Sequence, residues 1–340
     1  MQSSTRRELP RFGSFGFQTV VDTYDPVLAE VHPADTHLGM NLQGQYFYGG
    51  LRNAEGVTYM VERKFAAAMT NGLWLMSDES GETALLPEAM LATRGEAIRR
   101  ITPERREWKN HLLRSVGAEV AASDEQPLSL VLESDRLEWS EGRLLDLTGT
   151  VQGPGFQIYA PDRSEPVFYT SQFYWVTGTV LGQAVEGFIG LDHSYFAAGS
   201  EWKEYRVYND LEIAWTVFAN KYSDDSVEYG VIVTGKGGFG GAVVYESGVE
   251  IANTNRVNSR FSLQESGDIA LGTSDLETAT YTFTATPTGS MPHFSKARWA
   301  GYRAQAGIAR RVGDDREPVN AFSWTEFFPE RMAGEGLLVD

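Results

Sequence analysis

Residues 166–196 read Pro-Val-Phe-Tyr-Thr-Ser-Gln-Phe-Tyr-Trp-Val-Thr-Gly-Thr-Val-Leu-Gly-Gln-Ala-Val-Glu-Gly-Phe-Ile-Gly-Leu-Asp-His-Ser-Tyr-Phe. Val167 to Val180 is dense in aromatic and β-branched residues, which fit a pleated, half-buried surface. Leu181-Gly182-Gln183-Ala184 interrupts the run, and Val185 to Leu191 resumes it. Two such runs around a short glycine-bearing break predict a β-hairpin. The second run ends in Asp192-His193. Successive strand side chains leave opposite faces, so these two point apart unless a bulge re-aims one of them.

The same pattern continues on both sides. Upstream, Gln45–Tyr48, Val57–Glu62 and Gly72–Met76 read as a meander, with Gly49-Gly50 as a turn. Leu128–Glu133, Arg136–Trp139, Leu144–Gly149 and Phe156–Tyr159 follow. Downstream, Asp210–Asn220 alternates, placing Leu211, Ile213, Trp215 and Val217 on one face. Glu228–Thr234, Ala242–Glu246, Leu276–Ala285 and Pro318–Phe328 are strand-like, and Trp299–Arg310 suits a strand or a short helix. Residues 1–43 read as irregular. One clear helix is predicted from Pro103 to about Val116, with Thr102 as N-cap, Pro103 at the first helical position and Gly117 as its stop. Strands without βα alternation make the class all-β. The breaker-rich Ala160–Pro166 marks the boundary between two lobes, 1–165 and 166–340.

Composition narrows the partners. The 340 residues carry a formal charge of −17, which repels nucleic acid and anionic membranes. There is no cysteine, so disulfides, thiolate metal sites and cysteine nucleophiles are excluded. The polar N-terminus shows no signal peptide, and no apolar run reaches the ~18 residues of a membrane helix, so a cytoplasmic location is expected. The five histidines form no metal-ligand spacing, and no metal is expected. The 8 Trp, 15 Tyr and 18 Phe are enough to line an apolar pocket as well as a core.

Other chemistries fail on spacing. Thr234-Gly-Lys-Gly-Gly-Phe-Gly-Gly241 lacks the Ser or Thr after Gly-Lys that a phosphate loop needs, and strands flank it, so it reads as a wide turn. No Gly-x-Ser-x-Gly elbow supports a serine hydrolase. No glycine fingerprint joins a strand to a helix, so no nicotinamide or flavin cofactor is expected. No cofactor of any kind is called for.

Phe168-Tyr-Thr-Ser-Gln172, Val176-Thr-Gly-Thr-Val180 and Gly187-x-x-Gly190-x-Asp192-His193-Ser194 together resemble the lipocalin-like carotenoid 1,2-hydratase superfamily. That group also includes bacterial lipocalin-like hydrolase-type proteins and fungal Diels–Alderases. The resemblance covers about residues 166–220. It departs from the family pattern at Tyr195-Phe196, where Trp-Gly is usual, and in the spacing of the second glycine. It implies two lipocalin-like β-barrel or sandwich lobes with a ligand cleft between them. It marks Asp192 and His193 as catalytic candidates, with Asp192 the acid and His193 its orienting or water-activating partner. Tyr169, Tyr174, Trp175, Trp202, Trp215 and Trp74 are candidate substrate contacts, and Tyr46, Tyr48 and Glu62 candidate pocket wall.

The implied activity is cofactor-independent hydration or dehydration, isomerisation or cyclisation of a hydrophobic unsaturated metabolite such as a terpenoid or polyene. Burial can keep a carboxyl protonated for this work. A pericyclase-like cyclase and a non-catalytic intracellular binder are the alternatives. The oligomeric state stays open; an exposed β edge leaves a homodimer available.

Overall fold

The structure, a computed structural model, describes residues 19–25, 36–66, 70–86, 91–94, 98–101, 105–110, 114–115, 128–133, 135–162, 164–197, 205–292 and 301–339. The 166–196 stretch forms the predicted hairpin. Strand Val167–Val180 pairs antiparallel with strand Gln183–Phe196 from Val180↔Gln183 to Phe168↔Tyr195. Its loop is two residues, not four. Leu181 and Gly182 have φ of 50° and 80°, as a right-twisted hairpin turn requires. Leucine is costly there, by roughly 1 kcal/mol. Leu181→Asn is expected to raise stability by about 0.5–1 kcal/mol, read as a shifted denaturant midpoint with an unchanged slope.

This hairpin sits at the centre of a sixteen-stranded sheet. On one side Gln183–Phe196 pairs with Met40–Asn53, then Thr58–Ala66 and Thr70–Ser77. On the other, Val167–Val180 pairs with Leu145–Val151, followed by Arg136–Glu141, Leu128–Glu133 and Arg105–Asn110. A second sheet of nine strands runs from Ala214–Lys221 to Asn320–Phe327, and these two strands pair at its middle. The fold is therefore all-β with two curled sheets, as two lipocalin-like lobes require.

Three layers of core explain the arrangement. One face of the first sheet closes on itself around Phe47, Leu75, Leu130, Trp139, Tyr174 and Ile189. The second sheet does the same around Phe218, Ile232, Val244 and Tyr281. The remaining faces meet each other through Met60, Phe156, Phe173, Phe188, Val217, Tyr229, Phe322 and Trp324. Glycine permits the closest approach: a Cβ on Gly50 would lie 2.1 Å from the Phe322 ring.

Several expectations are corrected. Residues 105–110 and 114–115 are strands, not helix. The capping signals at Thr102 and Pro103 are local, and pairing with Leu128–Glu133 overrides them. Gly49-Gly50 is no turn but lies inside strand Met40–Asn53. Within the stretch read as irregular, Val20–Tyr24 and Thr36–His37 are strands, the first pairing with Gly155–Ala160. Leu211 ends a short helix, Arg206–Leu211, and the strand starts at Ala214. The breaker-rich 160–166 stretch joins two strands that pair with each other, so it lies within one sheet; the chain changes sheets between Phe196 and Ala214. Pro161 and Pro166 mark a bend just as well as they would mark a linker. Trp299–Arg310 resolves to strand Arg303–Arg311.

Candidate functional site

Where the two sheets meet back to back they leave a pocket that opens to solvent. Tyr46, Tyr48, Glu62, Tyr169, Asp192, Tyr208, Glu212, Trp215, Val217, Trp324 and Glu326 line it. The pleat dictates this set. Asp192 pairs with Tyr46 on one side and Ser171 on the other, and Glu62 pairs with Tyr48, so all project from one face of the first sheet. Trp215 and Glu326 are likewise cross-strand partners, as are Val217 and Trp324, on the facing sheet. Tyr208 comes from the short helix, and Glu212 follows it.

Asp192 is the centre of the site. It is buried, at 7% exposure. The Tyr169 hydroxyl donates to its Oδ2, and the Ser171 hydroxyl donates to Oδ1 at 2.5 Å. The Tyr48 hydroxyl is 3.4 Å from Oδ1. Burial pushes the Asp192 carboxyl up to about 7; the three hydroxyl donors pull it down, and the charge of Glu326 pushes it further up. Burial is the stronger influence, so the acid is half protonated near neutrality. Burial and the Asp192 charge both raise the Tyr48 and Tyr169 phenols well above their ordinary value, and both remain hydrogen-bond donors. Tyr169 stands edge-on to Trp215 at 4.9 Å, and Tyr48 edge-on to Trp324 at 5.7 Å.

Gly190 makes room for one of these donors. A Cβ there would lie 3.0 Å from Tyr48 Cζ and 3.2 Å from its hydroxyl. The Tyr48 ring therefore lies across Gly190 towards Asp192. Gly190→Ala is expected to displace that ring and break the already long hydrogen bond. One donor fewer lets the Asp192 pKa rise further, and stability falls by about 1 kcal/mol. A carboxyl titration of the variant beside the wild type reads the shift.

The other candidates scatter. His193 lies on the opposite face from Asp192, and its Nδ1 is 3.3 Å from Thr170 Oγ1. The register shift beside this strand falls between Ser194 and Tyr195, where Gln43 of the neighbouring strand is the extra residue, so nothing turns His193 around. His193 therefore cannot partner Asp192 in the cavity, and Tyr169, Ser171 and Tyr48 hold that position. Tyr174 also faces the inner core of the first sheet, where Gln172 Nε2 donates to its hydroxyl. Trp175 flanks the core between the sheets, with Lys221 Nζ 5.4 Å from its ring centroid. Trp74 flanks the same core opposite Glu62. Of the proposed tryptophans among the described residues, Trp215 alone lines the cavity; Trp202 lies outside the described residues.

Ser171, Tyr208, Glu212, Trp324 and Glu326 line or complete the site without having been anticipated. Ser171 carries a usable signal, two residues from Tyr169 on the same face of the hairpin. The others are brought in by the facing sheet and by the turn into it, which strand patterning does not encode. Among the described residues, no three histidine, aspartate or glutamate side chains are grouped so as to hold a metal ion. No described helix is long and apolar enough to cross a membrane.

No protein-family profile matches the chain, and no curated protein sequence matches it. Solved structures do. A candidate AttH protein from Nitrosomonas europaea aligns at 14% identity and a TM-score of 0.46, covering 88% of this chain and 99% of its own. Kievitone hydratase from Nectria haematococca aligns at 8% identity and a TM-score of 0.40, covering 90% of this chain and 97% of its own.

Proposed function

We propose that the protein is an enzyme that transforms a hydrophobic unsaturated metabolite in the cavity between its two sheets, with Asp192 as general acid. The observation that carries this reading is a carboxyl held near pKa 7 inside an aromatic-walled cavity, with both of its oxygens fixed by hydroxyl donors. Protonating a carbon–carbon double bond needs an acid that still holds its proton at neutral pH and is shielded from bulk water. Asp192 meets both conditions, and three hydroxyls stabilise the carboxylate left behind.

Hydration or its reverse is the favoured chemistry. Asp192 gives its proton to one alkene carbon, and a water oxygen bonds to the other. The water's surplus proton goes to one of Glu62, Glu212 or Glu326, which line the same space. Dehydration runs the same transfers backwards. Isomerisation uses the same acid, with a lining carboxylate removing a different carbon-bound proton. Trp215 and Trp324 offer ring surface against positive charge developing on carbon. The site calls on no cofactor for these steps.

The test is incubation of a terpenoid and polyene panel with the purified protein in heavy-oxygen water. A product one labelled water heavier supports hydration, and an unlabelled isomer supports isomerisation. Return of every compound unchanged would leave binding without turnover and overturn the enzymatic reading.

A further inference from the structure

The seam between the sheets holds a second pocket, away from Asp192. Strand Met40–Asn53 runs past both: Tyr48 lines the first and Arg52 the second, on the same face. Four residues of strand separate them by ~13 Å. Strand Asn320–Phe327 does the same on the facing sheet, with Trp324 in the first pocket and Asn320 in the second. The Phe322 ring stands between, seated on Gly50, where a Cβ would lie 2.1 Å from it. The second pocket is therefore a separate site. Its walls differ in kind, with Thr58, Asp78, Thr286 and Asn320 around Arg52.

Arg52 is half-buried and makes no ion pair or side-chain hydrogen bond among the described residues. Glu186, across the ladder from it, lies 3.9 Å from Lys221 instead. Much of the other polarity holds the walls together. Asp78 accepts from the Thr58 backbone N–H at 2.7 Å and from the Thr288 hydroxyl at 3.1 Å, and Asn320 Nδ2 donates to the Glu186 carbonyl at 3.3 Å. The Thr58 and Thr286 hydroxyls make no hydrogen bond among the described residues. The pocket thus offers a guanidinium, the hydroxyls of Thr58 and Thr286, and the spare acceptor capacity of Asp78 and Asn320.

The planar guanidinium fork matches a carboxylate, which it holds through two parallel hydrogen bonds. A doubly charged phosphoryl group suits the place less, because Asp78 and Glu186 stand on either side of Arg52 in the sheet and repel the second charge. Threonine hydroxyls and amide or carboxylate oxygens meet hydroxyl groups, as donors and as acceptors. We infer that this second pocket binds a small hydroxylated carboxylate, such as a sugar acid, with Arg52 on the carboxylate and Thr58, Asp78, Thr286 and Asn320 on the hydroxyls. Arg52, Thr58 and Asp78 belong to the first sheet and Thr286 and Asn320 to the second, so the ligand bridges the two.

Gluconate, sorbitol and hexanoate share a six-carbon chain; sorbitol lacks the charge and hexanoate lacks the hydroxyls. Isothermal titration calorimetry of the full-length protein at pH 7 and constant ionic strength compares them. Gluconate is expected to bind about tenfold or more tighter than either, the size of one charge-assisted hydrogen bond. Arg52→Met should remove the preference over sorbitol, and Thr286→Val should narrow the preference over hexanoate several-fold. Asp192→Asn should leave all three affinities unchanged, so failure here and failure of the proposed acid are separate results. Absence of saturable gluconate binding to the wild type, or sorbitol or hexanoate binding as tightly, overturns the inference, and neither outcome depends on a variant folding. Gluconate binding that survives Arg52→Met, or that weakens in Asp192→Asn, puts the ligand elsewhere and overturns it as well.

Discussion

Asp192→Asn is expected to lower turnover by about 10²–10⁴-fold, the usual contribution of a positioned general acid, while leaving the fold intact. Asparagine has the shape of the protonated acid and keeps one acceptor oxygen, enough for the Ser171 and Tyr48 hydroxyls while its NH2 faces the Tyr169 oxygen, but it has no acidic proton to give. The wild-type rate is expected to fall as pH rises through about 7, because the acid must hold its proton, and this limb should vanish in the variant. Stability moves the other way. The folded-state pKa of Asp192 lies above its ordinary 3.8. Below about 4 the group is protonated in both states and contributes nothing. Between about 4 and 7 the folded state binds more protons than the unfolded one, so stability falls as pH rises, and the cost is complete above 7. Asparagine bears no such cost. The variant should therefore gain on the wild type in melting temperature between pH 4 and pH 8. Activity and thermal melts at four pH values check both signs.

Arg63→Ala is expected to destabilise the protein by about 3–5 kcal/mol, the range for removing one partner of a buried ion pair. Arg63 Nε is 2.9 Å from Glu141 Oε1, with both side chains fully buried in the first sheet's own core. Trp139 Nε1 donates to the same oxygen at 3.1 Å. Burial lowers the Arg63 pKa and raises that of Glu141, each opposed by the partner's charge. Without Arg63 the glutamate takes up a proton, so the deficit should be smaller at pH 5 than at pH 8. The double change Arg63→Met with Glu141→Gln removes both charges and keeps an acceptor for Trp139, and should recover most of the loss. Urea denaturation of the wild type, Arg63→Met, Glu141→Gln and the double variant closes the cycle. Arg63 adjoins Glu62 in sequence, but the two leave the strand on opposite faces, so this pair sets the strand that presents Glu62 to the cavity.

What the sequence revealed and what it hid follow from the physics of strands. Alternation fixes which face a residue takes, and it put Asp192 opposite to His193 correctly. It does not fix which residue stands across the ladder. Reading the loop as 181–184 instead of 181–182 slides the hairpin by two positions, which preserves every face but puts Phe173, not Ser171, opposite Asp192. Tyr174 carries the same lesson. It is aromatic and close in sequence to Tyr169, yet an odd-to-even step places it in the other core. Pairing Asp192 with His193 rested on the family resemblance, whereas neighbours in a strand leave it on opposite faces. The helix expected near 103–116 failed because capping preferences are worth about 1 kcal/mol, less than a full set of strand pairs. The acids of the second sheet were out of reach, because no local pattern tells which faces of two separate sheets will meet.

The most direct test is the titration of Asp192 itself. Carboxyl carbon-13 spectra of aspartate-labelled protein, recorded across pH and assigned by the signal missing in Asp192→Asn, give its pKa without any substrate. A midpoint near 7 is the predicted result. A midpoint at or below 4 would mean that the group is an ordinary carboxylate at neutral pH, and Asp192 would not be the acid of this site.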